Sequence, residues 1–222
     1  MSTRGRKPAG RVDCTWRAEL AYAVGLITAD GSLSNNGRHI NFTSKDIDLI
    51  HTFQRCLGLE DIAIGRKGSG YSKTSTYFQV QFGDVLFYRF LVELGLHANK
   101  SLTLKGVRIP DEYFFDFVRG EWDGDGTVYR TQDVRWKSSY VISIGFTSAS
   151  REFLEWLQVN INDRLMTTGF ITRVNRGWQL RYAKRDSKKL FAAMFYAPTL
   201  PHLARKFAKA KEIYRIDGLS KS

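Results

Sequence analysis

Apolar residues recur along this chain with two alternating periods. Between residues 16 and 29, Leu20, Ala23, Val24 and Ile27 fall at helical spacing, and Ala21, Gly25 and Ala29 make a small-residue row at i, i+4 and i+8. After Gly31 the period drops to two: Ile40 and Phe42 share one side of a strand, His39 and Asn41 the other. Helical spacing returns at Ile47, Ile50, Phe53 and Leu57, led in by Ser44, Lys45 and Asp46 and ended by Gly58. A second hairpin is predicted next, with residues 66–73 as a loop too polar and glycine-rich to bury. On its return strand Phe78, Val80 and Phe82 face inward, leaving Tyr77, Gln79 and Gln81 outward. Asp84 stands where it would cap a helix through Leu96, and Asn99, Lys100, Ser101 and Pro110 read as a link.

The plan then repeats with longer connections. Residues 113–124 form a helix whose Gly120 and Gly124 supply a small-residue row to face the first one. Residues 127–137 read as a long, charged hairpin tip, followed by a strand with Ile142, Ile144 and Phe146 inward. Ser150 caps a helix carrying Phe153, Leu154, Leu157 and Ile161. Trp178, Leu180 and Tyr182 point in; Arg173, Asn175, Gln179 and Arg181 point out. A helix over 187–196 and a last one after Pro201 close the chain. The prediction is αββαββα twice, an α+β fold with two antiparallel sheets. It divides as a basic tail (1–11), a first half (12–105) and a second half (106–222).

Each first helix ends in the same way. Ala23-Val24-Gly25-Leu26-Ile27-Thr28-Ala29-Asp30-Gly31 is matched by Val118-Arg119-Gly120-Glu121-Trp122-Asp123-Gly124-Asp125-Gly126, with the two aspartates 95 residues apart. Ile40-Asn41-Phe42-Thr43-Ser44 recurs as Ile144-Gly145-Phe146-Thr147-Ser148. A repeat this long is a duplicated domain, since solenoid units are shorter. The two stretches resemble the signature of the LAGLIDADG homing endonucleases. The first keeps Gly25, Leu26, Ile27, Ala29, Asp30 and Gly31 of the nine-letter pattern; the second keeps Gly120, Asp123, Asp125 and Gly126 but puts Glu121 and Trp122 where aliphatics are usual.

Composition narrows the partner. At 222 residues with 43% hydrophobic and 14% aromatic content, the chain is long enough to bury a core. A net charge of +12 points to a polyanion. Cys14 and Cys56 lie outside any metal spacing and read as reduced thiols of an intracellular protein, in a compartment the sequence does not resolve. No apolar run is long enough for a membrane span, and the first ten residues lack a secretory core. Arg4, Arg6, Lys7 and Arg11 in the tail are placed to lie along phosphates. The outward sheet positions His39, Asn41, Tyr77, Gln79, Gln81, Arg173, Asn175, Gln179 and Arg181 include no acid. Asn and Gln match adenine in the major groove and Arg matches guanine. Flanking Arg38, Arg66, Lys67, Lys73, Arg130, Arg135 and Lys137 would hold phosphates. Of the remaining histidines, His51, His97 and His202 read as helix-surface or packing residues, and no Ser-His-Asp or Cys-His set competes with the acids.

The resemblance implies two sheets forming a saddle-like DNA-binding surface and a monomer with internal pseudo-twofold symmetry, its halves packed through the motif helices. It implies a metal-dependent endonuclease that makes a staggered double-strand break in a long DNA target. Asp30 and Asp125 would hold Mg²⁺, with carbonyl oxygens of Ala29 and Gly124 as further hard ligands; Mn²⁺ or Ca²⁺ is expected to replace it for binding. Lys100 and Lys206 would stabilise developing charge, and Ser44, Lys45 and Ser148 would position water. Lys45 is matched by Ala149, so one strand is expected to be cut first. Two other readings use the same fold: an intron maturase that binds RNA, and a regulator that binds DNA without cutting it. Flanking intein segments are not expected.

Overall fold

The computed structural model describes residues 10–69, 72–132 and 140–219. In the first half, α1 (Ala18–Asp30), β1 (Gly31–Leu33), β2 (His39–Ser44), α2 (Ile47–Leu57), β3 (Gly65–Ser69), β4 (Ser72–Gly83) and α3 (Val85–Glu93) follow in order. The second half repeats them as α4 (Phe114–Asp125), β5 (Gly126–Gln132), β6 (Tyr140–Ser148), α5 (Arg151–Leu165), β7 (Phe170–Val174), β8 (Gly177–Ala183) and α6 (Lys184–Met194), then adds α7 (Ala204–Leu219). Each sheet is antiparallel, ordered β1-β2-β4-β3 and β5-β6-β8-β7. The predicted α+β duplication is therefore what the chain adopts.

Local chemistry sets the boundaries. The Asp84 carboxylate accepts from the amide of Phe87 at 2.9 Å, and the Ser150 hydroxyl accepts from that of Phe153 at 3.2 Å; both are the predicted N-caps. Gly58 ends α2 in the left-handed region, at φ 65°. The helix from Asp84 stops at Glu93 instead of running through Leu96, because Gly95 turns the chain at φ 108°. The predicted loop over 66–73 is mostly strand: Lys67 pairs with Tyr77 and Gly68 with Thr76. Likewise the predicted tip starting at 127 contains β5, whose Thr127 to Gln132 pair with β6. Residues rich in Thr, Tyr and Val tolerate the extended form, and each strand gains a ladder with its neighbour.

The halves meet through α1 and α4, the most extensive helix–helix contact among the described residues. It is close because both helices present glycine. A Cβ built on Gly25 would stand 2.2 Å from the Phe117 carbonyl oxygen and 2.7 Å from the Glu121 nitrogen. One on Gly120 would stand 2.1 Å from the Tyr22 carbonyl oxygen, and one on Gly124 would stand 2.4 Å from the Ala29 Cβ. Backbone therefore packs on backbone, and the two C-terminal ends emerge side by side. Outside this seam each sheet covers its own core: Ile40, Phe42, Val80 and Phe82 in the first half, Ile142, Ile144, Phe146, Leu180 and Tyr182 in the second.

Candidate active site

Each motif helix passes straight from its aspartate into a strand. The glycines that follow, Gly31 and Gly126, leave no room for a side chain, since an added Cβ would lie 2.7 Å from the Ile27 carbonyl oxygen and 2.4 Å from that of Trp122. Asp30 and Asp125 are thus fixed at the rim of the seam, each reaching solvent. Crowding by both helix ends limits their hydration, and that burial raises both pKa values; the neighbouring charge of Asp125 adds to it for Asp30, which reaches about 7. Lys100 and Lys206 oppose the rise in both.

Two recesses flank the seam, and each mixes residues of both halves. Asp125 opens into one of about 160 Å³ with Thr28, Ala29, Lys100, Ser101, Glu121, Ser148 and Ala149. Asp30 opens into another of about 240 Å³ with Thr43, Ser44, Lys45, Asp46, Tyr77, Asp123, Gly124 and Arg205. Predicted residues are thereby sorted: Asp125, Ala29, Lys100 and Ser148 on one side, Asp30, Gly124, Ser44 and Lys45 on the other. The Lys45/Ala149 inequality is visible in the walls of the two recesses. Both serines also hold local turns, the Ser44 and Ser148 hydroxyls accepting from the amides of Asp46 and Ser150 at 3.1 Å. Lys45 lies with its ammonium 5.2 Å from the Tyr77 ring centre.

The two lysines do different work. Lys206 gives all three ammonium protons to the end of α4, donating to the carbonyls of Trp122 (2.6 Å), Asp123 (3.0 Å) and Gly126 (2.8 Å). It neutralises the negative end of that helix and has no donor left over. Lys100 donates once, to the Gly31 carbonyl at 2.8 Å, which leaves two N–H groups toward the Asp125 recess. Burial lowers the pKa of both lysines.

Four features of the site escaped the sequence reading. Asp123 is structural: it accepts from the Tyr22 hydroxyl at 2.8 Å and the Leu203 amide at 2.7 Å, tying α1, α4 and the start of α7 together. Arg205 closes one wall of the Asp30 recess by a two-point pair with Asp46 across the halves, Nε to Oδ1 at 2.7 Å. Arg119 is fully buried, pairing with Asp116 at 2.7 Å and donating to the carbonyls of Met194 and Pro201. Glu121 is buried as well, its Oε2 without a hydrogen-bond partner, and burial pushes its pKa well up, with Asp125 adding to it. The one sequence signal for Glu121 was an acid at a motif position usually aliphatic.

Strand register decides which basic and amide residues share the outward face. In the first sheet Ser32, Asn41 and Gln81 stand in one row, Thr43 and Gln79 in the next, and Tyr77 beside Lys67 beyond them. In the second, Tyr129 stands beside Ser143, Thr127 and Gly145 beside Arg181, and Thr147 beside Gln179. Gln79 donates to Gln81 at 3.3 Å; at the matching positions Arg181 donates to Gln179. His39 shares the parity of Asn41, and Arg38 is exposed at the strand's start.

Three predicted contacts fall on the opposite face. Arg66 pairs with Phe78, Arg130 with Ile142, and Arg173 with Trp178, on whose ring it stacks at 5.6 Å. Arg130 covers the Tyr140 ring at 4.7 Å instead. Asn175 sits in the exposed turn between β7 and β8. Tyr129, Thr43, Thr127 and Thr147 join the outward face unpredicted. Arg135 and Lys137 lie outside the described residues, as do Arg4, Arg6 and Lys7; Lys73 lies in β4, its side chain outside the description. Arg11 is engaged with Asp61 at 2.5 Å, and its amide with Asp84, so it does not extend freely. Cys14 and Cys56 are free thiols, and among the described residues no helix is long and apolar enough to cross a membrane.

The chain was compared with known proteins. A family model described as a LAGLIDADG-like domain matches twice, over residues 17–95 and 112–195. Curated protein sequences give no match. Among solved structures, the homing endonuclease I-WcaI bound to its DNA recognition sequence is similar at 13% identity and TM-score 0.61, over 86% of this chain and 88% of that one. The N-terminal LAGLIDADG domain of DUF199/WhiA is similar at 14% identity and TM-score 0.55, over 86% and 88%. I-DmoI in complex with DNA and Mn is similar at 15% identity and TM-score 0.52, over 82% and 98%. With its motif helices, paired sheets and both matched copies, the chain belongs to the LAGLIDADG-like family, as a single-chain member carrying two copies of the domain.

Proposed function

We propose that this protein is a site-specific, Mg²⁺-dependent DNA endonuclease that cuts both strands of a long target as a monomer. The observation that carries this reading is the pair of aspartates at the adjoining ends of α1 and α4, each opening into its own recess beneath an amide- and arginine-bearing sheet face. A protein that only bound DNA would gain from losing both acids, because carboxylates facing phosphate repel it. Of the three solved structures described above, two are bound to DNA, and one of these holds Mn.

The residues fit a hard divalent cation. Carboxylate oxygens are its preferred ligands, and acids with raised pKa values gain from a cation that replaces the proton. Among the described residues no three His, Cys, Asp or Glu side chains gather tightly enough to hold an ion alone, so phosphate and water complete the set, as is usual for Mg²⁺. Asp30 and Asp125 would hold the ions, which when bound supply charge neutralisation and an acidified water.

The protein's own groups supply the rest. The outward rows around Asn41, Gln79, Gln81, Gln179 and Arg181 read base edges, while Arg38 and Lys67 fix register on phosphate. Lys100 directs its two spare N–H groups at the phosphate held over Asp125, where negative charge develops. In the other recess Lys45 takes that part, since Lys206 is committed to the end of α4. Selection of bound duplexes from a randomised library in Ca²⁺, followed by plasmid cleavage with Mg²⁺ or EDTA, tests the proposal. Cutting at the selected site with Mg²⁺ alone supports it; tight, specific binding with no strand cut under any divalent ion would make the protein a DNA-binding regulator.

A further inference from the structure

Glu121 occupies the position that Leu26 holds in the first motif, so it belongs to one recess and has no counterpart in the other. It is 1% exposed and lines the recess with Asp125, yet its Oε2 meets no donor. A buried carboxylate oxygen left in this state is costly unless something fills the space beside it. Lys100, the opposing charge that acts on it most strongly, donates to the Gly31 carbonyl.

The Asp30 recess also holds a second buried acid, Asp123, but its Oδ2 is already taken by the Tyr22 hydroxyl and the Leu203 amide, and only its Oδ1 lacks a partner. The Asp125 recess sets two carboxyl groups, Asp125 and Glu121, beside Lys100. Its volume of about 160 Å³ accommodates an ion that keeps several waters.

We infer that Glu121 and Asp125 together form a divalent-cation site that fills without DNA. Two carboxylates plus water is a donor set that Mg²⁺ and Mn²⁺ accept. The inference rests on the endonuclease reading for the purpose of the ion, but its test does not require cleavage.

The experiment is a Mn²⁺ titration of the DNA-free protein, followed by the electron paramagnetic resonance signal of free Mn²⁺. The wild type is expected to bind one ion per chain saturably. Glu121→Gln, which keeps the side chain's shape, and Glu121→Leu, which copies the first motif, should each weaken that binding at least about ten-fold. Glu60→Gln, an exposed and remote change, should bind like the wild type. Circular dichroism establishes that the variants are folded. Saturable binding equal to wild type in Glu121→Gln or in Asp125→Asn would overturn the inference, as would a wild type with no bound ion before DNA is added. Failure to cut any DNA with this binding intact would overturn the endonuclease reading alone.

Discussion

The seam sets a demanding test, because it allows no added atom at Gly25. In Gly25→Ala a single methyl group would stand 2.2 Å from the Phe117 carbonyl oxygen, 2.7 Å from the Glu121 nitrogen and 3.0 Å from the Gly120 Cα. All three are backbone atoms of α4, so no side chain can rotate aside. Relief to an ordinary contact of about 3.5 Å requires the helices to part by roughly an ångström, which loosens contacts along their whole length. Overpacking of this kind costs about 1–3 kcal/mol, offset slightly by alanine's better helix propensity. For a chain of this size each kcal/mol lowers Tm by roughly 2–4 °C, so a loss of roughly 2–12 °C is expected by calorimetry or circular dichroism. The same parting displaces Asp30 from Asp125, and cleavage should fall further than stability. A Tm within about 1 °C of wild type would refute the close backbone packing on which the paired-acid site depends.

Two further expectations concern the sheet face and the rim acids. Gln79→Ala, Gln81→Ala and Arg181→Ala should each relax base preference locally by about 1–3 kcal/mol in a competition binding assay, whereas Arg66→Ala and Arg173→Ala, on the opposite face, should leave preference unchanged; a uniform loss of affinity from the first group would remove them as readers. Asp30 titrates at about 7 when folded and, as an ordinary carboxyl, near about 4 when unfolded. The folded state therefore holds the proton more tightly, and the stability this gives is present in acid and lost as pH rises through about 7. In EDTA the Tm of the wild type should fall from about pH 5 to about pH 8 and that of Asp30→Asn should fall less; parallel curves would contradict the assigned shift.

Much of the fold was legible because each signal was local. Two glycine-bearing helices ending in Asp-Gly, strands alternating around Ile40 and Ile144, and the caps at Asp84 and Ser150 all act within a few residues of themselves. Strand register is less local. Arg173 was read as outward, on a face that depends on where its hairpin turns, and one residue of slip exchanges the faces; Arg66 was read into a loop that is strand. Glu121 was visible as an oddity of the motif, but its burial against Lys100 and Asp125 arises from a contact between halves. The same holds for Arg205 and Asp46, 159 residues apart, and for the capping of α4 by Lys206.

The central claim is that Asp30 and Asp125 are what make this fold cut. A time course on supercoiled plasmid carrying the selected site, with strand-specific labels, compares wild type with Asp30→Asn, Asp125→Asn and the double variant in Mg²⁺. Each single variant should lose double-strand cleavage while still binding the site, and the wild type should pass through a nicked circle, as the unlike walls of the two recesses require. The double variant should bind and leave the plasmid supercoiled; linear product at the wild-type rate from that variant would contradict the account.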